Sequence, residues 1–425
     1  MNTRRSCVIG LDGVPFDLLC KLAEDGTMPA VRGLIQEGHL HKIKASLPEI
    51  SSVSWTSFMT GANPGTHGIF GFTDLHDRSY QIRFPNFLDV KVPTLWDRLG
   101  ERGLKSIVIN QPSTYPARKL EGALVAGFVA VELAKAVYPL SHLAALEKMG
   151  YQIDIDTQKA RQDHAFLWKE LHSTLEGGRG ALRYFWNQEW NLFEFVVTGT
   201  DRLHHYLWDA HADSAHPDHE ALIDYYRRVD ALIGEIASGF RKLTGSRGAF
   251  YLLSDHGFTG ITQEVYLNAW LAQAGFLGFD SSGPRRLSDM ASGSRAFALD
   301  PSRIYINLKS RFPRGVVGDS ERSALKSEIA SALSGLEFEG QKVVRRVFDS
   351  EEIYSGPHTA KGPDLVVLAE PGFDMKGSLE RASVFGRTDL QGMHTWDDAF
   401  FLAPRDCGAD LTISDLAPII LEEFD

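Results

Sequence analysis

Cys7-Val-Ile-Gly-Leu-Asp12 is a short apolar run closed by an aspartate. Two later stretches repeat the pattern: Phe193-Glu-Phe-Val-Val-Thr-Gly-Thr-Asp201 and Phe250-Tyr-Leu-Leu-Ser-Asp255-His256. Runs of this length, rich in aliphatic, aromatic and β-branched residues and followed by glycine or a helix-like segment, read as buried parallel strands. In open α/β sheets the ligand sits beyond the carboxyl ends of the strands. Three carboxylates delivered there from distant parts of the chain meet in a small volume, where like charges are costly unless protonated or bound to cations. The three runs therefore predict an α/β fold and a metal centre together.

Outward from Asp12, Val14–Glu24 reads as a helix stopped near Gly26, and Met28–Glu37 as a helix with proline in its first turn and Gly38 after it. His39–Ala45 reads as a strand, Pro93–Arg102 as a helix feeding a strand over Lys105–Asn110. The alternation implies βαβ units and a central, mainly parallel sheet with helices on both faces. Residues 131–188 turn helical, strands resume at Leu192–Val197 and Ala249–Leu253 around a helix over Glu220–Leu243, and Leu411–Phe424 reads as a closing helix. The expected organisation is a core of residues 1–130, 189–259 and 341–425, a helical insertion at 131–188, and an inserted α+β cap at 260–340. The cap carries a Ser/Gly/Pro-rich, basic segment from Ser281 to Arg295, read as a mobile loop.

The 425 residues suffice for a large core with insertions. A hydrophobic content of 43% and a charged content of 23% are those of an ordinary soluble protein. The formal net charge of −11 argues against a nucleic-acid polymer as partner, since such binding neutralises phosphates with Lys and Arg. Three cysteines, Cys7, Cys20 and Cys407, without a CxxC spacing, make neither a disulfide framework nor a thiolate zinc site. Cys7 and Cys20 read as small apolar core residues. The apolar run after Arg4 and Arg5 is broken by Asp12 and Asp17, too early for a signal peptide, and no stretch approaches the ~20 apolar residues of a membrane span. The expectation is a cytoplasmic protein that does not enter a membrane.

Asp201 and His205 stand four apart at a helix start, on one face, where both can hold one metal. Alone the pair reads more readily as an N-cap aspartate and a surface histidine. Asp255 and His256 are adjacent, so both face one site only where the strand has turned, which Gly257 permits. Gly392-Met-His394 supplies another histidine. Oxygen and imidazole together suit zinc, and manganese as well. In Ser51-Ser-Val-Ser54, hydroxyls precede an apolar helical stretch. A helix N-terminus there attracts phosphate, and a serine activated by metal coordination becomes a nucleophile. The plain alternative is a serine cap.

With these residues in order, the chain resembles the alkaline phosphatase superfamily and is most similar to its type I phosphodiesterase/nucleotide pyrophosphatase branch. The resemblance runs through Gly10-Leu-Asp12-Gly, the Ser51–Gly68 segment, Thr200-Asp201-Arg-Leu-His-His205, Ser254-Asp255-His256, Tyr266-Leu-Asn268, Gly392-Met-His394 and Ile413-Ser-Asp415. It implies an alkaline-phosphatase-like fold and two divalent metals. Asp201, His205 and His394 would hold one, and Asp12, Asp255 and His256 the other, with Ser51 as nucleophile bound to the second. Paired metals about 4 Å apart clamp the attacking and leaving oxygens of an in-line displacement. The implied reaction is hydrolysis of a small phosphoester through a phosphoseryl intermediate.

Two departures bear on the substrate. The phosphate-binding asparagine of nucleotide pyrophosphatases falls at Phe72, and the sulfatase signature is absent, Val53 and Trp55 standing where its proline and arginine belong. Phe72 and Trp55 are candidate substrate contacts, Trp55 alternatively packing beneath its helix. His67 and His204 read as structural. The basic residues Arg285, Arg286, Arg295, Arg303, Lys309, Arg311 and Arg314 read as a solvated face or, alternatively, as contacts for an anionic substrate. Phosphomonoester hydrolysis, phosphoryl transfer to a second hydroxyl, and a silent binding module on the same fold remain open, as does the oligomeric state.

Overall fold

The computed structural model describes residues 4–280 and 285–425. They form two compact units: residues 4–62, 86–259 and 394–425, and residues 63–85 with 260–393. The first is built on an eight-stranded sheet of β1 (Ser6–Leu11), β2 (His39–Ile43), β3 (Ser106–Gln111), β4 (Gly122–Ala126), β5 (Val137–Tyr138), β6 (Leu192–Val197), β7 (Ala249–Leu253) and β8 (Ala399–Ala403). Their order is β2-β8-β7-β1-β6-β3-β4-β5. The five central strands are parallel. The edges add antiparallel strands, β8 and β2 on one side and β5 on the other. β1 lies in the middle, with Val8 in register with Glu194 of β6 and Tyr251 of β7. The carboxyl ends of β1, β6 and β7 are therefore neighbours.

Alternation along the strands fills two faces. Cys7, Ile9 and Leu11, with Ile107, Ile109, Phe193, Phe195 and Val197, join one core with helices α1 (Phe16–Glu24), α2 (Pro29–Glu37), the long α5 (His164–Trp186), α6 (Gly199–Ala212) and α7 (His219–Thr244). The opposite face is covered by α3 (Ser51–Thr60), which contacts α4 (Leu95–Glu101) and the closing helix α8 (Leu416–Leu421). All ten residues of α3 are buried. Trp55 of α3 lies on Gly10, where a Cβ would come 2.5 Å from the Trp55 Cη2 atom, so β1 needs a glycine there. The N-terminus of α2 has no cap of its own. Asp230 of α7 supplies it, its carboxylate accepting from the Ala30 and Val31 amides at 3.0 and 2.9 Å.

Segment 131–188 departs from the sequence expectation. It lies in the first unit, extends the sheet with β5, and packs α5 against the main core. Residues 341–393 and 63–85 also depart, belonging to the second unit. The reason is strand pairing. Val344–Asp349 and Leu365–Ala369 complete an antiparallel sheet with Ala296–Leu299 and Arg303–Ile306, so segments far apart in sequence share one core. Thr73 is bound into this unit by the buried Arg303, which donates to its carbonyl at 2.9 Å. Cys7 is buried, while Cys20 is only half-buried. Among the described residues no helix is long and apolar enough to cross a membrane.

Several of the basic residues of the second unit, Arg285, Arg295, Arg303, Arg311 and Arg314, are engaged structurally. Arg295 stacks over Phe276 and reaches Glu328, Arg311 donates to the carbonyls of Gly362 and Lys361, and Arg314 to that of Ser288. Arg285 lies over Phe279. Of the basic segment from Ser281 to Arg295, residues 281–284 lie outside the described residues.

Candidate metal centre

Each strand end delivers its residue through a different local device. β1 ends at Leu11, and Asp12 then donates its amide to the Val197 carbonyl at the end of β6, 3.0 Å away. The Thr200 hydroxyl donates to the Asp12 carbonyl at 2.6 Å. Gly13 follows at φ 66°, in the left-handed region that suits glycine, and its own amide donates to Asp255 Oδ1 at 3.1 Å. Its carbonyl accepts from His204 Nδ1 at 2.8 Å, and His204 Nε2 meets the Tyr226 hydroxyl. His204 is thus structural, and burial first of all pushes it down to about 3, leaving it neutral.

Asp201 is the third residue of α6, whose N-cap position is Thr198, so Asp201 does not act as the cap. Ser51 opens α3 as its first helical residue, with Ile50 at the cap position. The chain bends at Asp255 and His256, as expected, and Gly257 after them is not at positive φ. Gly257 is required by close approach, since a Cβ would lie 2.4 Å from Thr395 Oγ1 and 2.8 Å from the Asp398 carbonyl.

The structure brings all seven expected residues together, and all belong to the first unit. Ser51 Oγ is 3.1 Å from His256 Nε2 and 3.4 Å from Asp12 Oδ1. His256 Nε2 is 3.3 Å from Asp255 Oδ2 and 3.7 Å from Asp12 Oδ1. His394 Nε2 is 3.2 Å from Asp201 Oδ1 and 3.1 Å from His205 Nε2, and His205 Nε2 is 3.5 Å from Asp201 Oδ1. The two groups adjoin: the His256 and His394 rings stack with centroids 3.6 Å apart. Facing atoms of Asp12, Asp255 and His256 lie within 4.8 Å of one another, as do those of Asp201, His256 and His394. His256 is common to both sets.

Proton counting tests whether cations fit. His256 Nδ1 lies 3.0 Å from the Gly257 carbonyl and His394 Nδ1 2.8 Å from that of Glu49. Carbonyls only accept, so each ring carries its proton on Nδ1 and, when neutral, turns an Nε2 lone pair inward. With Asp12 and Asp255 ionised, the inward atoms around Ser51 are carboxylate oxygens, a nitrogen lone pair and one hydroxyl with a single proton to give. Asp255 Oδ2 is buried without a donor among the described residues. A divalent cation is what this donor set lacks, and backbone carbonyls behind the rings are the outer partners that orient histidine ligands.

The electrostatics follow the same division. Burial, with the Asp255 and Asp201 charges nearby, pushes the Asp12 carboxyl well above its usual range, and burial pushes Asp255 up to about 7. Burial also drives His256 far down, favouring the neutral ligand form. At Asp201 burial opposes ionisation but is outweighed by His205, His394 and Arg202, which hold its carboxyl well below the usual range. His394 is raised because its contact with Asp201 outweighs burial.

Trp55 is corrected as a substrate contact. It is 1% exposed, and its Nε1 donates to Asp12 Oδ2 at 3.3 Å, so it braces a carboxylate from behind. Phe72 lies half-buried in the second unit, whereas the centre is built from the first. His67 is buried, and its Nδ1 accepts from the Ile69 amide. Sequence reasoning missed the Glu49 carbonyl, Asp154 and Arg202. Arg202 was visible beside Asp201, but Asp154, 48 residues before it, carries no local signal.

A family model described as type I phosphodiesterase / nucleotide pyrophosphatase matches residues 6–397. The chain belongs to this family. It is therefore an enzyme of a phosphoester-hydrolase family, on an alkaline-phosphatase-like α/β fold. Among solved structures it is similar to phosphonoacetate hydrolase from Sinorhizobium meliloti 1021, seen in complex with phosphonoformate, at a TM-score of 0.67 and 15% identity, covering 100% of this chain and 96% of that one. It is also similar to murine ectonucleotide pyrophosphatase/phosphodiesterase 5, an inactive form in complex with AMP, at a TM-score of 0.58 and 12% identity, covering 99% and 95%. The human counterpart gives 0.57 and 13%, covering 99% and 94%. At these identities the structural likeness speaks for the fold. No curated protein matched the sequence.

Proposed function

We propose that this enzyme is a di-metal phosphodiesterase that works through a covalent phosphoseryl intermediate on Ser51. The observation that carries the reading is the position of Ser51: its Oγ lies at the start of α3, 3.1 Å from His256 Nε2, within a donor set short of positive charge. Asp201, His205 and His394 would hold one cation and Asp12, Asp255 and His256 the other, zinc or manganese fitting oxygen and imidazole donors. Two cations held there would supply charge that favours the ionised serine oxygen and offsets the negative charge of the phosphoryl group.

The rest falls to the chain. The N-terminus of α3 orients a phosphoryl oxygen towards its positive dipole end. Ser51 Oγ, its proton already given up to solvent, forms a bond to phosphorus as the bond to the leaving alcohol oxygen breaks, and that oxygen takes a proton from water. Water then cleaves the phosphoseryl ester, restoring the hydroxyl. Carbonyls at Nδ1 hold His256 and His394 in one tautomer throughout.

The test is turnover of bis-p-nitrophenyl phosphate, p-nitrophenyl phosphate, nucleotides and phosphonoacetate by protein loaded with zinc or manganese, beside Ser51→Ala and Asp255→Ala. Diester turnover well above monoester turnover, lost in both variants, supports the reading. Inactivity across the panel with two metals bound per chain sinks it.

A further inference from the structure

We infer that Arg202, anchored by Asp154 and Phe128, is a positioning residue that decides which oxygen of Asp201 is presented to the metal. The inference rests on the metal-centre reading above. Arg202 is 9% exposed. Its Nη1 donates to Asp201 Oδ2 at 2.9 Å. Its Nη2 donates to Asp154 Oδ2 at 2.7 Å, and its Nε lies 3.2 Å from both Asp154 oxygens. The guanidinium carbon sits 4.2 Å from the centre of the Phe128 ring. Three separate segments therefore fix one planar fork.

The consequence for Asp201 is an asymmetry. Its Oδ2 is occupied by the guanidinium, and Oδ1 is the oxygen that lies 3.2 Å from His394 Nε2 and 3.5 Å from His205 Nε2. A free carboxylate rotates about its last bond and presents either oxygen or both. Here the charge-assisted bond to Arg202 holds it with one oxygen forward. A lysine cannot do the same, because a point ammonium lacks the rigid fork needed to bridge two carboxylates. With three N–H groups engaged and the side chain buried between Asp154 and Phe128, the guanidinium supports the ligand from behind and does not bind substrate.

Sign separates this from simple electrostatics. Arg202 is a positive charge beside a cation site, so deleting it alone would favour metal binding by charge. Deleting Arg202 and Asp154 together removes one charge of each sign, and the remaining change reports on orientation. The experiment is calorimetric titration of zinc into metal-free wild type, Arg202→Met/Asp154→Asn and Arg202→Lys, with visible absorption of the cobalt(II)-loaded proteins as a second readout. Wild type is expected to take up two ions. In the double variant one of the two steps should weaken about 10–100-fold, the usual cost of losing an outer-shell partner, while the other keeps its affinity and one component of the cobalt spectrum changes. Arg202→Lys should weaken the same step by a smaller factor. Unchanged or tightened binding in the double variant overturns the inference, as does an Arg202→Lys protein indistinguishable from wild type. Equal weakening of both steps, with a lowered melting temperature of the metal-free protein, assigns Arg202 to general stability and also overturns it. If the double variant does not fold, Arg202→Lys, which keeps the charge and most of the packing, decides. A wild type that takes up no zinc overturns both this inference and the metal-centre reading; two ions with an unaltered variant overturn this one alone.

Discussion

Glu194 stands in the middle of β6, in register with Val8 of β1 and Val108 of β3, on the sheet face opposite the main core. It is fully buried, neither carboxylate oxygen has a partner among the described residues, and burial pushes it up to about 8 from 4.5. The perturbation is Glu194→Gln. In the folded protein the carboxyl keeps its proton to about pH 8, whereas in the unfolded chain it releases it near 4.5. Between those values the native state binds more protons, so this group's contribution to stability falls as pH rises; it is flat below 4.5, where both states are protonated, and flat again above 8. The gap between 4.5 and about 8, at about 1.4 kcal/mol per pH unit, is about 5 kcal/mol, an order-of-magnitude ceiling. Glutamine does not titrate and removes this dependence. The Ser6 and Ser106 hydroxyls, unpartnered among the described residues, lie on the same face two positions back along their strands. The assay is urea unfolding of metal-free wild type and variant from pH 5 to pH 9. The variant should match wild type near pH 5, apart from a constant offset, and gain on it by several kcal/mol towards pH 8.5. A stability difference that does not change with pH, or that shrinks as pH rises, would refute the argument.

Gly10→Ala should lower stability by ~1–3 kcal/mol through overpacking, and because the clash is with Trp55 it should also weaken zinc binding through Asp12, measured by thermal melts with and without metal. Asp230→Ala leaves the start of α2 uncapped and should cost about 1–2 kcal/mol, seen as a shifted denaturation midpoint with wild-type activity retained. Chelation should lower the melting temperature, since an ion at a hundred times its dissociation constant contributes about 2.7 kcal/mol; a melt indifferent to chelator would count against both cation sites.

The sequence was most legible where chemistry and periodicity coincide. Leu192–Val197 and Ala249–Leu253 are strands with the expected bounds, because a buried parallel strand shows as an unbroken apolar run with no need of its partner. Asp12, Asp201 and Asp255 were readable because each closes such a run. Trp55 was harder: an aromatic four residues after Ser51 reads equally as pocket lining or packing, and only its contact with Gly10 and its bond to Asp12 decide. Gly257 was read as permitting a turn; that close approach of Thr395 and of the Asp398 backbone also requires a glycine there leaves no local trace.

Strand identity, the parallel sheet and the three aspartates at strand ends were legible in the sequence itself, because they depend on side-chain type and short-range spacing, while the full set of seven candidate residues came from the resemblance to the family. Which segments share a core was decided only in three dimensions. Residues 341–393 and 63–85 join the second unit, and 131–188 the first, through strand pairings such as Arg303 with Val366 and Val125 with Val137, and through the bond from Arg303 to Thr73, none of which a local pattern encodes. The same holds at the centre. Ligand types are written in the chain, but the tautomers of His256 and His394, set by two backbone carbonyls, and the oxygen that Asp201 turns forward, set by Arg202, exist only once the fold has brought those groups within hydrogen-bond distance.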